Sequence, residues 1–185
     1  YGLSIAGGSL VFGVSGQSGQ RTICGTTSVV DGNWHHIVIQ RRRSDGLMQI
    51  FVDGFIDAEA DGPNGDISYP DNAVPGNHCN GRCYDSDPYL VIGAEKHDAG
   101  AAYPSYAGLI DEMRISNTLR YSGTFNRPTA PFVRDTNTLA LYHFDEGSGQ
   151  IVHDDSQPTD GPRDGVIRFG GNPIGPIWVT SDAPL

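Results

Sequence analysis

The stretch HHIVIQRRRSDGLMQIFVDG, residues 35–54, decides the fold because it predicts a β-hairpin. Residues 44–46, Ser-Asp-Gly, form a turn signal between two short β-rich runs. Side chains alternate between the two sides of a strand, so the apolar positions of both runs can face the same core. These positions are Ile37, Ile39, Met48, Ile50 and Val52. A second turn signal, Asp53-Gly54, ends the return strand.

Similar runs occur outside the hairpin, and clusters of Gly, Asp, Asn or Pro bound nearly all of them. They are SLVFGVSG (9–16), YLVIGAE (89–95), GLIDEMRIS (108–116), TLALYHF (138–144), QIVHD (150–154) and PIWVTS (176–181). No window of eleven or more residues shows a convincing helical period. The sequence therefore predicts an all-β protein, an antiparallel β-sandwich with no helix longer than two turns.

The charge and hydropathy of the chain exclude two classes of partner. The formal net charge is −10 over 185 residues, so phosphate backbones and anionic membranes are repelled on average. No apolar run approaches the roughly 18 residues that span a bilayer. We expect no nucleic-acid partner and no membrane insertion.

The basic run Arg41, Arg42 and Arg43 has two interpretations. Alternation along a strand sends these side chains to opposite sides, which favours a solvated strand end over an anion site. Residues 57–88 then form a long acidic stretch with little apolar alternation, for which we expect a loop held by a clip or an ion. Its DGPNGD segment, residues 61–66, offers oxygen ligands for a hard cation, and the alternative is a solvated acidic turn.

The cysteines suggest one local disulfide. Cys79 and Cys83 lie in CNGRC, a spacing that closes readily through the Asn-Gly turn. A pair of free thiols and a zinc site that also uses His78 are the alternatives, although no second ligand pair follows at zinc spacing. Cys24 is left over and fits a small buried hydrophobe.

Four segments together resemble the laminin G-like jelly roll, a concanavalin A-like sandwich of two antiparallel sheets. They are DGNWHHIVIQ (31–40), MQIFVDG (48–54), YLVIGAEKHDAG (89–100) and YAGLIDEMRISNTLRY (106–121). The resemblance covers most of the first 121 residues and implies an extracellular or cell-surface (secreted) protein. It also implies a structural Ca²⁺ ion, because family members often carry one. We expect its ligands among Asp61, Asp66, Glu95, Asp98 and Asp111.

The last quarter of the chain resembles the beginning of such a unit rather than its end. LALYHFDEGSG (139–149), HDDS (153–156) and GVIRFGGNPIGPIW (165–178) normally open the unit, and the family's middle run ending in Trp has no match. We therefore divide the chain into residues 1–125 as the main part of the sandwich, 126–137 as an extended connector and 138–185 as opening strands. These strands either complete the same sandwich, as in a circular permutant, or are swapped onto a neighbouring subunit.

The residues do not predict an enzyme. Asp111 with Glu112, and Asp145 with Glu146, are neighbours that face apart in an extended chain, unlike the paired acids of a glucanase. In a strand, Asp111 would interrupt an apolar face, so its carboxylate needs a cation, an Arg or backbone amides as partner. A sugar site would use exposed aromatics beside acids. The candidates are Tyr84, Asp85, Asp87, Tyr89, His97, Tyr103 and Tyr106.

The function predicted from these features is an extracellular structural or adhesive subunit. Its partners would be other copies of itself or neighbouring laminin G-like domains, assembled head-to-tail into a filament or surface layer. A carbohydrate-binding module that recognises glycans is the alternative.

Overall fold

The computed structural model describes residues 1–16, 18–67, 90–94, 101–167 and 175–185. Every regular element in these ranges is a β-strand. Within them, no helix is long and apolar enough to cross a membrane. The prediction of an all-β fold is therefore confirmed.

The described residues contain ten strands, which form four sheets. The strands are β1 (Gly2–Ala6), β2 (Ser9–Gly16), β3 (Gly19–Cys24), β4 (Ile37–Arg41), β5 (Leu47–Val52), β6 (Phe55–Asp61), β7 (Met113–Ser116), β8 (Thr138–Tyr142), β9 (Ile151–Val152) and β10 (Gly165–Val166). The sheets are β1-β2-β3, β4-β5-β6, β7-β8 and β9-β10.

The chain forms two compact units. The first comprises Tyr1–Ser68, Ser116–Pro131 and Ala183–Leu185, and the second comprises Tyr69–Ile115 and Phe132–Asp182.

The first unit is a β-sandwich with three strands in each sheet. Alternate residues of β2 point inward and are almost fully buried, whereas β5 is buried on both faces from Met48 to Val52. The shared core contains Leu10, Phe12, Val14 and Ile23 from one sheet and Met48, Ile50 and Val52 from the other. Buried apolar area of this kind is the main favourable term in folding.

The predicted hairpin is confirmed as β4 and β5. Ile37 pairs with Val52 and Ile39 pairs with Ile50, so the predicted apolar set lies on the core side. The turn from β5 to β6 consists of Asp53 and Gly54, with φ angles of 51° and 89°. Two successive positive φ angles characterise a type I′ hairpin turn, which favours Asp-Gly.

A carboxylate joins the two sheets of the first unit. Asp57 of β6 accepts hydrogen bonds from the backbone N–H and the hydroxyl of both Thr26 and Thr27, at 2.7–3.2 Å. A Cβ atom at Gly25 would lie 1.9 Å from Asp57 Oδ2, so only glycine allows this approach. Asp57 was predicted to begin the acidic loop, and it belongs instead to β6. The loop begins at Gly62, after the strand ends.

A buried carboxylate also organises the second unit. Asp154, 6% exposed, accepts hydrogen bonds at 3.0 Å from the backbone N–H groups of Leu141, Ser156 and Arg163. Strand β8 is thereby fixed to the chain that follows β9. Trp178 Nε1 donates to Gly149 O at 2.9 Å, which ties the end of the GVIRFGGNPIGPIW run to the turn after β8.

Strand β8 pairs with β7 of the same chain. The sequence left open whether these opening strands complete the same sandwich or that of a neighbouring subunit, and this choice stays a prediction. The boundaries at residues 125 and 138 remain a prediction.

Three predicted runs differ from the structure. Residues 90–94, the described part of YLVIGAE, and residues 176–181 are not strands. The run GLIDEMRIS becomes a strand only from Met113, because Glu112 has a φ of 51° and leaves the extended region. The predicted alternation through Asp111 and Glu112 is therefore wrong.

Candidate functional site

An acid–histidine latch holds the loop before β4 against the β5–β6 turn. His35 Nδ1 lies 2.8 Å from Asp53 Oδ2, and His35 Nε2 lies 3.0 Å from Asp31 Oδ1. The other oxygen of Asp53 accepts a hydrogen bond from the backbone N–H of His36 at 2.9 Å. Hydrogen bonds thus join the two segments that carry the family resemblance, Trp-His-His and Val-Asp-Gly.

The charge state of His35 follows from this geometry. A neutral imidazole has a single N–H, so it can donate to only one of the two carboxylates, whereas the imidazolium donates to both. Partial burial lowers the pKa of His35, but the hydrogen bonds to Asp53 and Asp31 outweigh it and raise that pKa. Hydrogen bonds from Asn33, followed by that of His35, lower the pKa of Asp31 to about 2. Both pKa shifts favour the charged forms, an imidazolium between two carboxylates.

An aromatic stack covers the outer side of the β4-β5-β6 sheet. The rings of Tyr121 and Phe125 are parallel, with centroids 3.5 Å apart, and both contact Phe51 of β5. Phe125 N donates to Gly54 O at 2.9 Å, and a Cβ atom at Gly54 would lie 1.9 Å from Phe125 O. The segment after β7 is therefore fixed to the latch turn.

Two of the three consecutive arginines contact the start of the acidic loop. Arg41 donates to the backbone carbonyls of Pro63 and Gly65 at 2.5–3.1 Å, and Arg43 lies 3.4 Å from Asp66. Arg42 instead pairs with Asp45 in its own hairpin turn. Two backbone carbonyls of the DGPNGD segment, those of Pro63 and Gly65, thus accept hydrogen bonds from a guanidinium group.

The predicted calcium ligands are distributed over both units. Asp61 and Asp66 belong to the first unit and Asp111 belongs to the second, while Glu95 and Asp98 lie outside the described residues. Within the described ranges, no group of three or more His, Cys, Asp or Glu side chains could hold a metal ion. The calcium site remains a prediction.

Asp111 and Glu112 have separate structural partners in the second unit. Asp111 hydrogen-bonds to the Ser181 hydroxyl, which was not among its predicted partners. Glu112 accepts a hydrogen bond from the Phe132 N–H at 2.9 Å and lies 2.6 Å from His143 Nδ1. Burial lowers the pKa of His143, but its hydrogen bond to Glu112 outweighs burial and raises that pKa.

One of the three cysteines, Cys24, lies within the described residues, and the other two lie outside them. Cys79 and Cys83 lie outside the described residues, so their disulfide remains a prediction. Cys24 is exposed and free, and the expectation that it is buried is wrong. Its neighbour Ile23 takes the core-facing position at the end of β3, which leaves Cys24 facing outward.

Only two residues of the predicted sugar site can be placed. Tyr103 and Tyr106 are exposed, and Tyr106 N donates to Gly93 O at 2.7 Å. The other candidates lie outside the described residues. They are Tyr84, Asp85, Asp87, Tyr89 and His97.

One side of the sandwich in the first unit is open, which sequence reasoning missed. Leu3 and Ile5 of β1 pair with Phe12 and Leu10, so they lie on the core face of their sheet. They are nevertheless 43% and 36% exposed, as is Ile37 of β4 at 36%. Within the described residues, β1 pairs only with β2 and β4 pairs only with β5. The signal was present in GLSIA, an alternating run without a charged residue.

A laminin G family model, described as the concanavalin A-like lectin/glucanases superfamily, matches residues 1–122. The chain belongs to this family. No curated protein and no solved structure gives a significant match. The matched residues contain the sandwich, the latch and the open side, and the fold prediction is confirmed.

Membership of the family establishes a lectin-like or adhesive type of domain. Laminin G-like domains commonly occur outside the cell and bind glycans or other proteins, and they are typically not enzymes. The fold alone does not name the partner, which depends on the surface of the individual domain.

Proposed function

We propose that this chain is an extracellular structural or adhesive module that joins a second copy of itself along the β1 edge. The observation that carries the proposal is the open side of the sandwich, where core-facing Leu3 and Ile5 remain partly exposed. Burying the exposed part of each side chain would contribute about 1 kcal/mol.

The backbone of β1 supports the same proposal. An edge strand presents unpaired N–H and C=O groups, and natural proteins usually protect such edges with charged residues, proline or bulges. The five residues of β1, GLSIA, contain neither a charge nor a proline. Strand addition at such an edge combines main-chain hydrogen bonds with pockets for alternate side chains.

Assembly beyond a pair is the finer part of the proposal. Because β8 pairs with β7 in its own chain, we propose the contact with a neighbour at β1 instead. If β1 of one copy meets a surface other than β1 on the next copy, the contact is head-to-tail. Such contacts give a filament or surface layer when the rotation that relates neighbouring copies does not close into a ring.

Two exposed apolar positions allow a matched test of the proposal. Ile5→Lys places a charge on the open edge, and Val133→Lys makes the same type of change in the second unit, at a residue 77% exposed. We expect light scattering to show concentration-dependent association of the native chain and of Val133→Lys, but not of Ile5→Lys. A native chain that stays monomeric at every concentration would contradict the proposal.

A carbohydrate-binding module is the second candidate, favoured by the exposed rings of Tyr103 and Tyr106. We expect a double Tyr103→Ala, Tyr106→Ala variant to lose signals that the native chain gives on a glycan array. Identical array profiles for the two proteins would remove these tyrosines from the glycan site.

The calcium ion is also part of the proposal, with ligands among Asp61, Asp66, Glu95, Asp98 and Asp111. An ion that binds only the folded chain raises the melting temperature by mass action. We expect added calcium to raise, and a chelator to lower, the midpoint of thermal unfolding. A midpoint unaffected by both would exclude a structural ion.

A further inference from the structure

The segment that follows β6 carries an Asn-Gly pair at the surface. Asn64 is exposed, and Gly65 has a φ of 76°, in the left-handed region that favours glycine. An asparagine followed by glycine is chemically labile, because glycine has no Cβ to keep its backbone nitrogen away from the asparagine side chain. The contacts around this pair therefore decide whether it reacts in the folded chain.

The reaction needs a free backbone nitrogen and a rotation of the main chain. The nitrogen of Gly65 loses its proton and bonds to Cγ of Asn64, the bond from Cγ to the side-chain nitrogen breaks, and ammonia leaves with that proton. Water then opens the five-membered succinimide ring at either carbonyl, which gives aspartate or isoaspartate. Because the peptide group is planar, the ring closes only if this group turns about the Cα–C bond of Asn64.

Two hydrogen bonds hold the peptide group that would have to turn. Its nitrogen, that of Gly65, donates to Arg43 O at 2.8 Å. Its oxygen, that of Asn64, accepts a hydrogen bond from Ser18 Oγ at 3.0 Å. Both ends of the group are thus held by residues that are distant in the sequence, and the nitrogen keeps its proton.

The side chain of Arg41 holds the carbonyl groups on both sides of this peptide. Its Nε and Nη2 donate to Pro63 O at 3.1 and 2.5 Å, and Nη2 also donates to Gly65 O at 3.0 Å. The guanidinium group is half-buried, and its planar fork of donors suits two acceptors at a fixed separation. We call these contacts of Arg41, Arg43 and Ser18 with residues 63–65 the loop clamp.

We propose that Asn64 is a site of spontaneous deamidation and that the loop clamp sets its rate. While the clamp is closed, the peptide group cannot turn, so the reaction proceeds only from the small population in which this segment has opened locally. Isoaspartate adds one carbon to the main chain, so the carbonyls of Pro63 and Gly65 lose the separation that the fork of Arg41 requires. Deamidation therefore releases the loop irreversibly and adds a negative charge beside Asp66. The proposal does not depend on strand addition at β1.

The test follows deamidation of the intact chain by mass spectrometry. The chain is incubated at mildly alkaline pH, once folded in buffer and once unfolded in guanidinium chloride. Fragment ions must assign each event, because the sequence contains a second Asn-Gly pair, Asn80-Gly81, in the same tryptic peptide, residues 44–82.

Three variants separate the clamp from general effects of substitution. Arg41→Lys keeps the charge but loses the planar fork, and Arg42→Lys is the matched control, because Arg42 pairs with Asp45 in its own turn. Ser18→Ala removes one hydrogen bond at an exposed position. Circular dichroism shows whether each variant is folded.

We expect Asn64 of the folded native chain to react at least about tenfold more slowly than in denaturant. Arg41→Lys should raise the rate in the folded chain by about tenfold, because charge-assisted hydrogen bonds are lost, and Arg42→Lys should leave it unchanged. In denaturant all four chains should react at the same rate.

Three results would overturn the proposal. They are an Asn64 that reacts as fast in the folded native chain as in denaturant, an Asn64 that does not react in denaturant, and equal folded-state rates for Arg41→Lys and Arg42→Lys. If Arg41→Lys is not folded, Ser18→Ala decides: faster reaction of Asn64 supports the clamp, and an unchanged rate contradicts it.

Discussion

Replacing Asp53 with Asn should show that the latch of the first unit is ionic. Asp53 has a φ of 51°, a left-handed conformation that Asn also adopts readily, so the turn should survive the substitution. The Asn side-chain oxygen can still accept the hydrogen bond from the His36 N–H. The change therefore removes chiefly the charge that faces His35.

The expected magnitude follows from the contact between His35 and Asp53. A hydrogen bond to a charged group contributes about 1.5–3 kcal/mol. Asp53 is 31% exposed, and solvent screening reduces that value, so we expect the free energy of unfolding to fall by about 1 kcal/mol. Arg127, at 3.7 Å from the other oxygen of Asp53, is too exposed to change this figure appreciably.

The pH dependence gives the prediction its sign. The pKa of His35 is raised above the ordinary value of 6.5, so its contribution is fully present below pH 6.5 and is lost as the pH rises through the folded-state pKa. The pKa of Asp53 is lowered: burial raises it, but the hydrogen bonds from His36 and His35 outweigh burial. The contribution of Asp53 is thus lost as the pH falls from about 4 through its folded-state pKa.

Urea unfolding of the native chain and of Asp53→Asn, at about pH 5.5 and about pH 9, measures this difference. We expect a gap of about 1 kcal/mol at the lower pH that shrinks at the higher pH. Nuclear magnetic resonance titration of the His35 ring should give a pKa above 6.5 in the native chain and a lower one in the variant. A gap independent of pH, or a His35 pKa at or below 6.5, would refute the ionic latch.

Two further substitutions and one chemical reaction test other parts of the structure. Asp154→Ala should lower the free energy of unfolding by about 3 kcal/mol, because three backbone N–H groups lose their acceptor and two of these contacts are buried. Replacing the exposed Asp155 with Ala should cost far less, and urea titrations compare the two variants. Gly54→Ala should lower the free energy of unfolding by about 2–4 kcal/mol, because the new Cβ would meet Phe125 O and Gly54 has a φ of 89°. Unchanged stability would mean that the chain around Phe125 is not fixed against the β5–β6 turn. Cys24 should react with a thiol reagent in the folded chain as fast as in urea, and protection would restore the buried assignment.

The hairpin could be predicted because its signals are local. Turn residues and alternation within residues 35–54 specify the register of β4 and β5, so one segment was enough. Asp53-Gly54 was recognised as a turn for the same reason. The sequence did not predict that His35 and the His36 N–H converge on Asp53, because the loop before β4 reaches the turn only after the sheet has formed.

The wrong predictions concern segments whose structure depends on contacts with residues distant in the sequence. Strand β6 was taken for the start of an acidic loop because its sequence, FIDAEAD, is rich in acids. Its acids are accommodated by partners distant in sequence: Asp57 by Thr26 and Thr27, and Glu59 by Gln49. Likewise, nothing near DGPNGD indicated that Arg41 would take its carbonyls.

The most direct test of the β1 edge as the contact between copies is amide hydrogen exchange at low and high protein concentration. Among the described residues β1 pairs only with β2, so the outward-facing amides of Gly2–Ala6 should exchange quickly in the separate chain. We predict that slow exchange appears in these residues as concentration rises, while the amides of Thr138–Tyr142 keep the same rates, and that Ile5→Lys abolishes the effect. Fast exchange of Gly2–Ala6 at every concentration, or protection confined to another strand, would contradict the account.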